Sequence, residues 1–201
     1  MIKKSIIISI IVFSFVGCGV LKELTNLSRL QFKLVNLESI TISSVTISNK
    51  NSIRDFSSLE VLKLSTSFIR NDMPLEFILN VEVKNPNANN NNLSKSNFKL
   101  SSFPWRLFID GKEAIQGNIS SPVNIPSDRN LSYVKVVAKV DLVNFIKEKG
   151  YEGIINLALS LASQKDSPTK IELFAKPVVE TSIGKINYPE EIKIVSMNYT
   201  N

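Results

Sequence analysis

The chain has 201 residues, 43% hydrophobic and 21% charged, with 24 Lys and Arg against 18 Asp and Glu for a formal charge of +6. This apolar content suits a folded domain and excludes a disordered tail or a fibrous repeat. There is no histidine and one cysteine, which excludes a Ser–His–Asp triad, a Cys–His pair, an internal disulfide, a cysteine-rich zinc site and an iron–sulfur cluster.

The first seventeen residues carry a basic start, Lys3 and Lys4, then an apolar stretch from Ile6 to Val16 broken by Ser9 and Ser14. The stretch is shorter than the roughly 20 apolar residues that span a bilayer and has the form of a secretory signal. The only cysteine closes it, in Phe15-Val16-Gly17-Cys18. That segment resembles the lipobox of bacterial lipoproteins, with Phe15 where Leu is usual. The resemblance implies cleavage before Cys18 and acyl chains on Cys18 that hold the protein to a membrane. An ordinary signal peptide with a chance cysteine and an uncleaved anchor remain as alternatives. Cleavage removes Lys3 and Lys4 and leaves 22 basic against 18 acidic side chains. These are scattered, with no clustered stripe beside stacking aromatics, so no nucleic-acid partner is expected. The organisation expected is residues 1–17 as signal peptide, 18–29 as tether and 30–201 as one domain. The expected address is the cell envelope. Gly19 rather than Asp after the cysteine favours the outer membrane, facing the periplasm. The sequons at Asn26, Asn92, Asn118, Asn130 and Asn198 are then chance products of an Asn- and Ser-rich chain.

Along the mature chain, Leu30, Phe32 and Leu34 alternate with polar neighbours, as do Ile40 and Ile42, then Val45 and Ile47. Period two with β-branched residues predicts strands, and the shift near Ser43-Ser44 predicts a bulge or bend. Residues 49–58 read as a loop. Leu59 to Arg70 fits a helix or a strand. From Pro74, Leu75, Phe77, Leu79, Val81 and Val83 alternate in the clearest strand, which ends at Asn85-Pro86-Asn87. Proline cannot donate to a ladder and asparagines form Asx turns, so Asn85, Pro86 and Asn87 are expected to shape a turn. Asn89 to Asn92 lack the carboxylates of a metal loop and read as a solvated loop.

Three short strands follow, Phe98–Ser102, Trp105–Asp110 and Ala114–Ile119, with Asp110-Gly111 as a hairpin signal. Trp105 is expected to face the core. Pro122 and Pro126 flank an extended piece, and Leu131–Val140 alternates again. Leu142, Val143, Phe145 and Ile146 have helical spacing, with Asp141 as N-cap and Gly150 as stop. Ile154–Ala162 predicts a second helix. Ile171–Ala175, Val178–Ile183 and Ile192–Val195 read as further strands. Eight to ten strands with one or two late helices predict an all-β, two-sheet sandwich.

The strand running into Asn85-Pro86-Asn87, the segment Trp105-Arg106-Leu107-Phe108-Ile109-Asp110-Gly111-Lys112, Gly117, Ile125-Pro126 and the alternating strand after them form an ordered set. It resembles the late-embryogenesis-abundant type 2 family, the water-stress WHy-domain proteins, over about residues 74–150. The resemblance implies an antiparallel immunoglobulin- or fibronectin-III-like β-sandwich, no catalytic residues, no cofactor and no metal. The Asn89–Asn92 insertion and the 153–166 helical segment depart from the short family form.

The function expected is a non-enzymatic, lipid-anchored interaction or stress-protective module with an envelope protein partner. The alternative is a carrier for an apolar ligand or lipid, lined by the nearly all-apolar segment Ile154, Ile155, Leu157, Leu159 and Leu161. For an enzyme, acidic pairs remain possible. The candidates are Glu76 with Glu82, on one strand face, and Glu190 with Glu191, whose side chains would normally point apart.

Overall fold

The structure is a computed structural model that describes residues 30–85, 98–127, 131–163, 169–181 and 184–196. Cys18, Pro86, Asn87, Asn89–Asn92, Ser167-Pro168 and Ile183 lie outside the described residues.

The fold is mainly antiparallel β-sheet. The strands are β1 (Gln31–Ile42), β2 (Val45–Thr46), β3 (Pro74–Lys84), β4 (Phe98–Ser102), β5 (Trp105–Ile109), β6 (Lys112–Gly117), β7 (Val123–Ile125), β8 (Ser132–Asp141), β9 (Ile171–Ala175), β10 (Val178–Thr181), β11 (Gly184–Asn187) and β12 (Ile192–Ser196). The helices are α1 (Ser58–Ile69), α2 (Leu142–Phe145) and α3 (Gly150–Ser163). One sheet has the order β6-β5-β9-β12-β1-β3-β8, with β2 hairpinned onto β1, and the other the order β11-β10-β4-β7. Among these pairings, β1 with β12 is parallel and the others are antiparallel.

Alternation decides which face is buried. Leu75, Phe77, Leu79, Val81 and Val83 of β3 point inward with Val134, Val136, Ala138 and Val140 of β8, and all join one continuous core. In β1 the buried residues are Leu34, Leu37, Ile40 and Ile42. The steps of three arise because register shifts fall between Leu34 and Asn36 and between Glu38 and Thr41. Each bulge adds a residue and returns the next apolar side chain to the core. The bulges thus lie earlier in the strand than the Ser43-Ser44 position that the sequence suggests. Ser43-Ser44 is instead a two-residue hairpin turn, with Thr41 opposite Thr46 and Ile42 opposite Val45. Both serines have positive φ, 47° and 62°, the turn type whose twist matches paired strands.

Residues 58–69 form a helix, and the reason is local. Ser57 caps it: the Glu60 N–H donates to Ser57 Oγ at 3.4 Å, and the Ser57 N–H donates to Glu60 Oε2 at 2.7 Å. Ser-x-x-Glu ahead of an apolar run is a capping box, a signal that resolves the ambiguity. The loop before it holds a 3-10 turn at Ile53–Asp55. Asp141 caps α2 as expected, accepting from the N–H groups of Val143 at 3.1 Å and Asn144 at 3.5 Å. Gly150 does not end α2; at φ 64° it turns the chain into α3. Where the sequence predicts a single strand over Val178–Ile183, β10 ends at Thr181 and a further strand, β11, pairs back onto it.

Candidate interaction surfaces

The segment that the carrier alternative requires is part of the core. Ile154, Ile155, Leu157, Ala158, Leu159 and Leu161 of α3 are buried in the same cluster as the strands. Tyr151, at the start of this helix, meets Phe68 of α1 edge-on at 5.5 Å. An open concavity of about 500 Å³ lies elsewhere, between Phe98, Lys99, Asn124, Ile125, Pro126, Glu180 and Thr181. It is crossed by a 3.7 Å Lys99–Glu180 ion pair.

The carboxylates singled out from sequence do not converge. Glu76 and Glu82 share the outer face of β3, but six residues of strand separate them by about 20 Å. Glu76 instead accepts from Lys139 of β8 at 2.8 Å, and the bond and charge raise the Lys139 pKa. Glu191 is bound by Arg106, whose Nε donates to Oε1 at 2.9 Å while Nη2 donates to Oε2. Hydrogen bonding and the guanidinium charge hold the Glu191 carboxyl below the usual range. Arg106 also reaches Glu113 at 3.0 Å.

The Arg106 pairs belong to a wider pattern on the outer face of β5, β9 and β12. Arg106 lies opposite Phe174, and Phe174 opposite Lys193; Phe108 lies opposite Glu172. Phe108 and Phe174 meet edge-on at 5.4 Å, Arg106 sits 5.3 Å from the Phe108 ring centre and Lys193 5.8 Å from that of Phe174. Glu172 is bonded by Lys193 and Lys170, its side chain only 14% exposed, and those bonds lower its pKa. Half-buried aromatic rings flanked by both signs of charge make a face suited to protein contact. Sequence reasoning missed this face because its members come from three strands distant in the chain. Among the described residues no group of three or more Cys, Asp or Glu is placed to hold a metal.

Of the expected turn motif, Asn85 lies within the described residues and is buried at the end of β3. Trp105 faces the core as expected, 4% exposed, with its Nε1 buried and without a hydrogen-bond partner among the described residues. Gly117 lies directly opposite it in the β5–β6 hairpin. A Cβ on Gly117 would stand 2.6 Å from Trp105 Cζ2, so the glycine makes room for the indole. The Asp110-Gly111 turn is a hairpin with φ of 51° and 79°. Asp110 Oδ1 accepts from the Lys170 N–H and the Asp110 N–H donates to the Lys170 carbonyl, both at 2.9 Å. The Asn118 side chain, a sequon by sequence, is a clasp. Its Oδ1 accepts from the N–H groups of Phe103 at 2.7 Å and Ile119 at 2.9 Å, and its Nδ2 donates to Ser102 Oγ at 2.7 Å.

The chain matches no family model and no curated protein. It is similar to solved structures. One is a solution structure of a chain described as a late embryogenesis abundant protein, with 17% identity and a TM-score of 0.38 over 97% of this chain and 87% of that one. Another is a crystal structure from Archaeoglobus fulgidus, with 15% identity and a TM-score of 0.36 over 80% and 97%. A third, a solution structure from Arabidopsis thaliana, has 14% identity and a TM-score of 0.30 over 63% and 74%. Likenesses at this level assign no role to any residue.

Proposed function

We propose that this chain is a non-catalytic module of the cell envelope, held to the outer membrane by acyl chains on Cys18 and presenting its sandwich to an envelope protein, with a stress-protective role. The observation that carries the module reading over the carrier reading is the position of α3. Its apolar residues close the core from within, so the side chains that would line a ligand cavity are already spent on packing. The charged and aromatic outer face of β5, β9 and β12 supplies a surface for a partner. The lipobox resemblance around Cys18 supports the anchor, and Gly19 supports the outer membrane. The resemblance to the late-embryogenesis-abundant type 2 family supports the protective role.

Two measurements test this reading. Radiolabelled fatty acid should enter the wild type and not Cys18→Ala; equal incorporation removes the anchor. Arg106→Glu reverses the charge at the centre of the outer face. Cross-linking in intact envelopes should then lose a partner that the wild type captures, while circular dichroism is unchanged. An identical set of cross-links would remove this face from the proposal.

A further inference from the structure

Helix α1 has two apolar faces and the fold uses one. Leu64 is buried in the core, and Phe68, half-buried, meets Tyr151 of α3. On the opposite side, Leu59, Leu62, Thr66 and Ile69 follow each other at i, i+3, i+7 and i+10, a single stripe at 3.6 residues per turn. Leu59 is 79%, Leu62 64% and Ile69 78% exposed. Ile53, in the 3-10 turn that leads into the helix, is also exposed. Single exposed apolar residues are ordinary, but a stripe on one short helix marks a contact.

The charges around the stripe choose its occupant. Lys63 and Arg70 project beside Leu59 on the same flank, and Arg54 lies next to Ile53; all three are exposed. None of the three forms an ion pair among the described residues. Of the nearby acids, Asp72 follows the helix and is exposed, and two others are engaged away from the stripe. Glu60 is bound by Lys50 and the cap of the helix, and Asp55 by the N–H groups of Asn51 and Ser52. An apolar stripe with a cationic flank is the pattern of a helix that lies in the surface of an anionic bilayer.

The anchor permits that contact. α1 leads into β3 at Pro74, the end of the sheet where Ile42 pairs with Leu75, whereas Leu30 enters at the end where Gln31 pairs with Lys84. Twelve residues of β1 span about 40 Å. The twelve steps of chain from Cys18 to Leu30 reach about 40 Å when extended. The domain can therefore lie along the bilayer with both its N-terminus and α1 at the surface.

We propose that α1 docks the domain onto the anionic phospholipid surface of the membrane that holds it, through Leu59, Leu62 and Ile69 with Lys63 and Arg70 on the headgroups. This rests on the membrane-anchored reading above, and the two fail separately in one experiment. The full chain carrying Leu62→Trp is reconstituted in vesicles of equal parts phosphatidylglycerol and brominated phosphatidylcholine. Wild type, with only the buried Trp105, serves as the blank. The added indole should emit blue and lose at least half its intensity to bromine. In 0.5 M salt, or in vesicles of brominated phosphatidylcholine alone, the quenching should weaken severalfold. Leu59→Ser with Ile69→Ser in the same chain should abolish it, with circular dichroism unchanged because both positions are exposed. An acylated chain whose added indole stays unquenched overturns the docking and leaves the anchor. A quenched indole on a chain whose N-terminal peptide carries no acyl mass does the reverse. A blue, unquenched indole whose emission reddens as protein is diluted in the vesicles assigns the stripe to a second copy of the chain and overturns the proposal.

Discussion

Gly117→Ala tests the packing logic of the β5–β6 hairpin. The backbone of Gly117 has no left-handed φ, so alanine meets no conformational strain there. The whole effect is steric: the new methyl would lie 2.6 Å from Cζ2, 3.0 Å from Cε2 and 3.2 Å from Cη2 of Trp105. Trp105 cannot yield cheaply, because its ring is 4% exposed and belongs to the continuous core. Overpacking of this kind costs about 1–3 kcal/mol, which at an ordinary denaturant slope moves the urea midpoint by about 0.5–1.5 M. Trp105→Ala alone should cost about 3–5 kcal/mol. With the ring gone, the methyl has room, so adding Gly117→Ala to Trp105→Ala should change little. The cycle should then show a coupling of about 1–3 kcal/mol in favour of the double variant. Urea unfolding followed by far-ultraviolet circular dichroism suits all four proteins, since Trp105→Ala removes the only indole. A Gly117→Ala protein as stable as wild type would refute the close approach, and so would strict additivity in the double variant.

Asn118→Ala deletes two acceptances from backbone N–H groups and one donation to Ser102, and should cost about 2 kcal/mol by thermal or urea unfolding; a neutral result would show that water replaces the clasp. Asp55, Glu60, Glu172 and Glu191 all have carboxyl pKa values held below their ordinary ones by hydrogen bonds. Their contribution is present above the ordinary carboxylate range and lost as pH falls through the lowered folded values, so the urea midpoint should decline in acid; a midpoint flat from about pH 6 down to about pH 3 would contradict it. Trp105 should emit blue in the native state, shift red on unfolding and not respond to added fatty acid or phospholipid; a saturable response at micromolar lipid would favour the carrier.

Several features are written in the order of the residues. Alternation from Leu75 to Val83, broken by Ile78, and from Val134 to Val140, broken by Val137, gives β3 and β8 because a strand with one buried face needs period two. Asp110-Gly111 gives its hairpin because the turn needs two residues that tolerate positive φ. Asp141 gives its cap, and Ser57 with Glu60 gives α1 once the capping box is set above the mixed periodicity of the residues after it.

Tertiary structure decided the rest, because it depends on which strands meet. Nothing near Arg106 announces Glu191, 85 residues away, and nothing near Phe108 announces Phe174; the sheet order β5-β9-β12 makes them neighbours. The spacing of Leu34, Leu37, Ile40 and Ile42 reads as two strands until pairing with β3 shows one strand carrying bulges. The nearly all-apolar segment of α3 can by composition line a pocket or plug the core, and only its place in the core separates the two. The apolar residues of α1 likewise divide into buried Leu64 and exposed Leu59, Leu62 and Ile69 only once one side of the helix packs onto the core, since hydrophobicity says what prefers burial and packing says what obtains it.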